Sequence, residues 1–247
     1  MKYKDYSTTI WQSLHSTLDL VLKQDPHPVA VFDADGTLWD TDLGETFFHH
    51  QIDHKLVPLP PHPWEHYQDL KKKNPNEAYL WLAQICRDQP LSVVRDWAEK
   101  AVAEIAPVPL FSEQQKLIEL FLQKGVQVFV VTASVKWAVE PGAKMLGLGY
   151  DQVIGVETET PSGVISDKQK GFISYREGKV KALLAHTNGK KPFFASGNTM
   201  GDFDLLGCAT HLRLAVSAAS RDDRLFKTEF ELAEHAIEKG WLNHRFV

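Results

Sequence analysis

The chain has 247 residues, 43% apolar and 24% charged, with a formal net charge of −5. That length holds one substantial core with room for a smaller module, and the composition is that of an ordinary globular protein. The negative charge and lack of a basic cluster argue against a nucleic-acid partner, and no apolar run approaches the roughly 18 residues of a membrane span.

The opening MKYKDYSTTIWQ lacks the apolar segment and cleavage site of a secretory signal, so cytoplasmic residence is expected. Residues 7–24 read as a helix, with Ile10, Leu14, Leu18 and Val21 at three- and four-residue steps. DPHP, residues 25–28, stops it. VAVF, residues 29–32, is apolar at every position, the pattern of a strand covered on both faces in a parallel sheet.

Residues 42–110 break the alternation. They contain no strand pattern but several helical stretches, including 77–87 and 92–105; Pro58, Pro60, Pro61 and Pro63 crowd the first half, and Pro107 and Pro109 close it. This is expected to be a helical module inserted after the first strand. The alternation then resumes. A helix over 113–124 ends at Gly125, a natural C′ residue, and VQVFVV (126–131) is a strand. A helix over 136–146 and a short strand over 152–156 follow, then a polar hairpin or flap over 157–175. A helix from Lys179 to His186, strands over 192–196 and 211–216, and a helix over 230–239 complete the chain. The expected fold is α/β, a doubly wound parallel Rossmann-like sheet from residues 1–41 and 111–247, with 42–110 inserted. Cys86 and Cys208 have no metal or redox spacing and read as buried thiols.

Asp33 and Asp35 follow VAVF directly. In open parallel sheets, ligands bind outside the carboxyl ends of the strands. Two carboxylates held close together there call for a bound cation or a shared proton. Gly36 permits a sharp turn that brings backbone N–H groups toward an anion, and Thr37 could cap it. Carboxylates, exposed N–H groups and a divalent cation suit a phosphoryl group. The plainer alternative is an Asx-rich turn, which DG by itself marks.

DADGT after VAVF resembles the first motif of the haloacid dehalogenase superfamily, DxDx[TV] after an apolar strand. Three further segments resemble its other motifs in order: VFVVTAS (128–134), GKVKALL (178–184) and GNTMGDFDLL (197–206). TASVKWAVEP is similar to the branch that includes phosphoserine and phosphocholine phosphatases. The resemblance implies Asp33 as nucleophile, Asp35 as acid–base, Thr132 as a phosphoryl contact and Lys179 as a charge neutraliser. Lys181 and Lys168 remain rivals of Lys179. Ser134 is either a second substrate contact or a helix N-cap, and Gly36 borders the substrate. The carboxylate at Asp35 argues against a dehalogenase.

The same resemblance implies Mg²⁺ held by Asp33, the Asp35 backbone carbonyl, Asn198 and Asp202. Asn198 stands where the family commonly has aspartate, so weaker metal binding is expected; Asp204 is read as a cap or a solvent-facing residue. Residues 42–110 correspond to the cap of many relatives. Trp64, Tyr67, Trp81 and Trp97 either wall a substrate pocket or pack the cap's own core. In FFHHQIDH, His49, His50 and His54 are read as substrate-touching or solvated; His50 and His54, four apart, could share a face as metal ligands, but no second ligand pair accompanies them. The expected activity is Mg²⁺-dependent hydrolysis of a small phosphorylated metabolite, a phosphomonoester, through an aspartyl-phosphate intermediate. The alternatives are a phosphotransferase with the same intermediate and a weakly catalytic phosphate-binding module.

Overall fold

Val29–Phe32 forms β1, buried at all four positions, because both of its faces are covered. The computed structural model describes residues 3–247. β1 sits inside a seven-stranded sheet with β2 (Gln127–Val135), β3 (Val153–Thr158), β4 (Gln169–Lys170), β5 (Phe194–Gly197), β6 (Leu212–Ser217) and β7 (Leu242–Arg245). The strand order is β4-β3-β2-β1-β5-β6-β7. Every pairing is parallel except β3 with β4. From β1 the chain runs outward through β2 and β3, then returns to β5 on the other side. The crevice where strand order reverses therefore lies at the β1 carboxyl end.

Alternate β1 residues serve opposite faces. Ala30 and Phe32 pack with Leu14 and Leu18 of α1 (Thr8–Leu22) and Leu117 and Phe121 of α6 (Ser112–Gln123). Val31 packs with Leu183 of α8 (Glu177–His186), Leu205 of α9 (Phe203–Cys208) and Leu232 of α10 (Phe226–Glu238). Four helices lie between β1 and α6: α2 (Leu43–Asp53), α3 (Pro63–Lys73), α4 (Pro75–Gln84) and α5 (Leu91–Glu104). Their apolar faces join Val135, Val156 and Trp137 of α7 (Lys136–Met145) in a third cluster. The segments entering and leaving this insertion run side by side: Asp40 N–H donates to the Pro109 carbonyl at 2.9 Å, and Phe111 N–H to the Leu38 carbonyl at 3.0 Å. No helix among the described residues is long and apolar enough to cross a membrane.

The structure departs from the sequence reading in four elements, β2, α9, α10 and β7, and forms the expected hairpin over 157–175. β2 does not stop at Val131 but runs on to Val135 after a register shift, so Thr132 and Ser134 are strand residues. α10 begins at Phe226, a full turn earlier than expected. α9 and the edge strand β7 were not foreseen. The 157–175 flap contributes β4, antiparallel to β3.

Candidate active site

Asp33 directly follows β1, and its N–H is fixed by the Ser196 carbonyl of β5 at 2.9 Å. The residue is only 6% exposed. Lys179, in the first turn of α8, donates to Asp33 Oδ1 and Asp202 Oδ1, each at 2.5 Å. The second Asp202 oxygen accepts the Asn198 and Thr199 N–H groups at 3.1 and 3.0 Å, which closes the turn after β5 around it. Thr37 Oγ1 lies 3.1 Å from Asp33 Oδ2 and 3.3 Å from Asn198 Oδ1. It does not cap the DG turn.

Asp35 is held differently. Its Oδ1 accepts the Trp39 indole N–H and the Leu43 backbone N–H, both at 2.8 Å, and Oδ2 accepts the Ser134 hydroxyl at 2.7 Å. Ser134 is therefore not the N-cap of α7. That place belongs to Val135, because the strand continues through the serine. Ser134 N–H donates to Thr132 Oγ1 at 3.0 Å, and the Ser174 hydroxyl donates to the Thr132 carbonyl at 2.6 Å. Gly36 takes φ +76°, and a Cβ there would collide with the Asn198 side chain. Its N–H donates to the Trp39 carbonyl at 2.9 Å, so that group is committed within the turn rather than offered to an anion.

Burial and the Asp202 charge push the Asp33 carboxyl up to about 7, against the pull of Lys179. Burial likewise raises Asp35, opposed by the hydrogen bonds from Trp39, Ser134 and Leu43. For Lys179, burial acts downward but is outweighed by Asp202 and Asp33, which hold the ammonium above its ordinary range.

A cavity of about 460 Å³ opens over these groups. Asp33, Asp35, Gly36, Thr132, Ser134, Lys179, Asn198 and Asp202 all line it, brought together from the ends of β1, β2 and β5 and the start of α8. The inserted helices supply Asp42, Glu45, Tyr67, Lys71 and Tyr79. Of the four anticipated aromatics only Tyr67 reaches the cavity; Trp64 and Trp81 pack on Phe48, and Trp97 lies elsewhere. Lys181 is exposed and pairs with Glu177 at 3.0 Å, and Lys168 is exposed. Asp204 also faces solvent. His49, His50 and His54 lie outside the cavity lining.

A family model of haloacid dehalogenase-like hydrolases matches residues 30–207. The chain belongs to that family. Among solved structures, this hydrolase resembles a functionally unknown protein from Anaerococcus prevotii DSM 20548, at 14% identity and TM-score 0.74, over 98% of this chain and 95% of that one. A protein of unknown function from Bordetella pertussis Tohama I aligns at 18% identity and TM-score 0.69, over 89% of this chain and 99% of that one. A substrate-bound phosphoserine phosphatase aligns at 15% identity and TM-score 0.51, over 78% of this chain and 87% of that one. At these identities the likeness is one of fold. No curated protein matches the sequence.

Besides Trp39 and the polar residues of the inserted helices, a buried carboxylate of the site escaped the sequence reading. Glu229, on α10, is 3% exposed. Its Oε1 accepts Asn198 Nδ2 at 3.0 Å, and its Oε2 accepts the Ala218 and Ala219 N–H groups at 3.0 and 2.9 Å. Burial raises its carboxyl. By claiming the amide nitrogen, Glu229 turns the Asn198 carbonyl oxygen toward Thr37 and Asp33.

The donor set of this hydrolase fits a hard divalent cation. Asp33 and Asp202 are buried about the ammonium of Lys179, two carboxyl groups to one cation, and Glu229 is buried against Asn198. Asp33 Oδ2 and Asn198 Oδ1 converge on the same hydroxyl, and no donor among the described residues bonds the Asp35 carbonyl. These are oxygen ligands of the kind such ions take. Asp202, the fourth ligand that the resemblance implies, uses its two oxygens to hold Lys179 and the turn after β5.

Proposed function

We propose that this hydrolase is a Mg²⁺-dependent phosphatase that cleaves a small phosphomonoester through an aspartyl phosphate on Asp33. The observation that carries the reading is the contrast between its two neighbouring carboxylates: Asp33 is bound to a buried ammonium, and Asp35 only to neutral donors. Environments that differ in this way divide a carboxylate pair into nucleophile and acid–base.

In the first step an Asp33 oxygen forms a bond to phosphorus while the bond from phosphorus to the ester oxygen breaks, and Asp35 gives its proton to that oxygen. Asp35, now a carboxylate, takes a proton from water, whose oxygen attacks phosphorus and releases phosphate and free Asp33. The Ser134 hydroxyl can donate to the Asp35 carboxylate or accept from its acid form, so it holds the side chain in both states. Thr132 Oγ1 already accepts from Ser134 N–H, which leaves its own O–H to donate to a phosphoryl oxygen. Lys179 balances charge as it passes between Asp33 and the phosphoryl group.

Asp33, the Asp35 carbonyl and Asn198 would hold Mg²⁺, with Asp202 behind them positioning Lys179. When bound, the ion neutralises phosphoryl oxygens and helps fix phosphorus for in-line attack. Residues 42–110 act as a cap, entering and leaving the core on the paired segments at Asp40 and Phe111. The polar side chains they place over the cavity suit a small phosphorylated metabolite. Hydrolysis of para-nitrophenyl phosphate with and without Mg²⁺ tests the reading. Activity is expected to need the metal and to fall by several orders of magnitude in Asp33→Asn. Metal-independent turnover that survives the substitution would refute it.

A further inference from the structure

α2 carries His50 and His54 one turn apart at its carboxyl end, and α5 ends at Glu104. The packing of α2 on α5 brings the three together. His50 Nδ1 lies 2.9 Å from Glu104 Oε2, and His54 Nε2 lies 3.1 Å from Glu104 Oε1. Potential ligand atoms of all three lie within 4.8 Å of one another. None of them lines the active-site cavity; they border a separate hollow that also includes Trp97 and Lys100. We propose that His50, His54 and Glu104 form a second metal site, for a borderline transition-metal cation of the Zn²⁺ type, which ties α2 to α5.

Two imidazoles and a carboxylate, with further positions open to water, are a ligand set zinc commonly takes. Bonds of about 2.0–2.1 Å in a tetrahedral site place ligand atoms about 3.3 Å apart. The two nitrogen–oxygen separations, each to its own Glu104 oxygen, need open by only a few tenths of an ångström to reach that. The widest ligand-atom separation, at most 4.8 Å, closes by side-chain rotation of the half-exposed His54 and Glu104. The surroundings favour a cation. The carboxyl ends of two helices converge here, and their dipoles lend it negative potential. The hydrogen bonds from His50 and His54 keep the Glu104 carboxyl below its ordinary range, so the carboxylate is in its ligating form. His50 is buried and preset, whereas His54 and Glu104 are about half exposed, which leaves the ion a path of entry.

Lys100, one turn before Glu104, is the opposing charge at the hollow, and it is exposed. Without metal, the same atoms are held in imidazole–carboxylate hydrogen bonds. Protons compete with a metal for these ligand atoms, so affinity weakens toward acid pH.

The test uses the full chain, stripped with chelator and kept in excess Mg²⁺ to occupy oxygen-donor sites. Zn²⁺ is titrated against a chromogenic competitor, and Co²⁺ binding is followed by visible absorption. The wild type is expected to take up one more equivalent of Zn²⁺ than His54→Ala or Glu104→Gln. At this site each variant should lose at least tenfold in affinity, about the smallest penalty for disturbing even an outer partner of a ligand. The low-symmetry Co²⁺ absorption should appear only in the wild type. Both substitutions are at half-exposed positions, and unchanged circular dichroism and para-nitrophenyl phosphatase activity would show that the fold is retained. Equal stoichiometry and affinity in all three proteins, or no visible Co²⁺ band in the wild type, would overturn the proposal.

Discussion

The Asp35 carboxylate receives an indole N–H, a backbone N–H and a hydroxyl, whereas Asp33 receives an ammonium. If Asp35 protonates the leaving oxygen, its removal is felt in proportion to the leaving group's need for that proton. Asp35→Asn is therefore expected to slow hydrolysis of an alkyl phosphate by about 10²–10⁴-fold. Para-nitrophenyl phosphate, whose leaving group departs readily as an anion, should lose far less in the phosphorylation step, as single-turnover kinetics would show. Equal losses for both substrates would deny Asp35 this role. Lys179 invites a different measurement. Substitution by Met leaves Asp33 and Asp202 facing each other in a buried pocket, at a cost of about 3–5 kcal/mol in urea unfolding. With Lys179 gone, nothing opposes the burial and the Asp202 charge that already raise the Asp33 carboxyl above its unfolded value. The resulting penalty is absent below the unfolded carboxylate range and grows as pH rises through the folded value. The deficit of Lys179→Met should therefore shrink as the pH is lowered from 8 to 5, and a deficit independent of pH would contradict the charge argument.

α8 delivers Lys179, and Gly178 sets where that helix begins. A Cβ at Gly178 would collide with the carbonyl oxygen of Ile173, a backbone atom that cannot move alone. Gly178→Ala is expected to displace the first turn and its lysine, lowering kcat by about 10²-fold for a shift near 1 Å while helix content stays the same. Full activity in that variant would mean that the 173–178 turn yields without moving Lys179. Elements with regular burial were legible from sequence: β1 and the α1 and α6 stripes declare themselves because one pattern of apolar positions meets one core. α10 misled the reading. Its buried positions are Glu229, Leu232 and Ala236, while Phe230 and Ile237 are 52% and 68% exposed, so the apolar residues mark the wrong face. The missed first turn contains Glu229, whose partner Asn198 is 31 residues away; no local spacing signals a carboxylate that orients an amide. β7 reads LNHR, a polar edge strand without alternation, and α9 spans only six residues. The motif residues were legible because each stands at an element end. That Ser134 serves Asp35 was not, because it depends on β2 continuing past its register shift.

Taken whole, the molecule joins the inserted helices to the sheet through apolar packing and one buried ion pair. Arg95 of α5 meets Glu140 of α7 in a two-pronged contact, Nε to Oε2 at 2.7 Å and Nη2 to Oε1 at 2.8 Å, and Glu140 is 1% exposed. Lys136 stands 3.5 Å from the same carboxylate, and Arg95 stacks over the Tyr150 ring at 4.0 Å. Removing Arg95 leaves Glu140 buried with a single, more distant partner, a loss of about 3–5 kcal/mol by the usual cost of breaking such a pair. How that loss appears depends on whether the insertion melts by itself. The apolar cluster beneath it is continuous, running from Phe48, Ala78 and Val94 to Val135, Trp137 and Val156, so the insertion cannot open without exposing the ends of β2 and β3. Arg95→Ala is therefore expected to lower the midpoint of one cooperative transition, with calorimetric and van't Hoff enthalpies still equal. A new low-temperature transition in that variant, with the main one unmoved, would instead show residues 42–110 unfolding as a separate unit. In that case cap motion during turnover would amount to local unfolding rather than to rotation about the paired segments at Asp40 and Phe111.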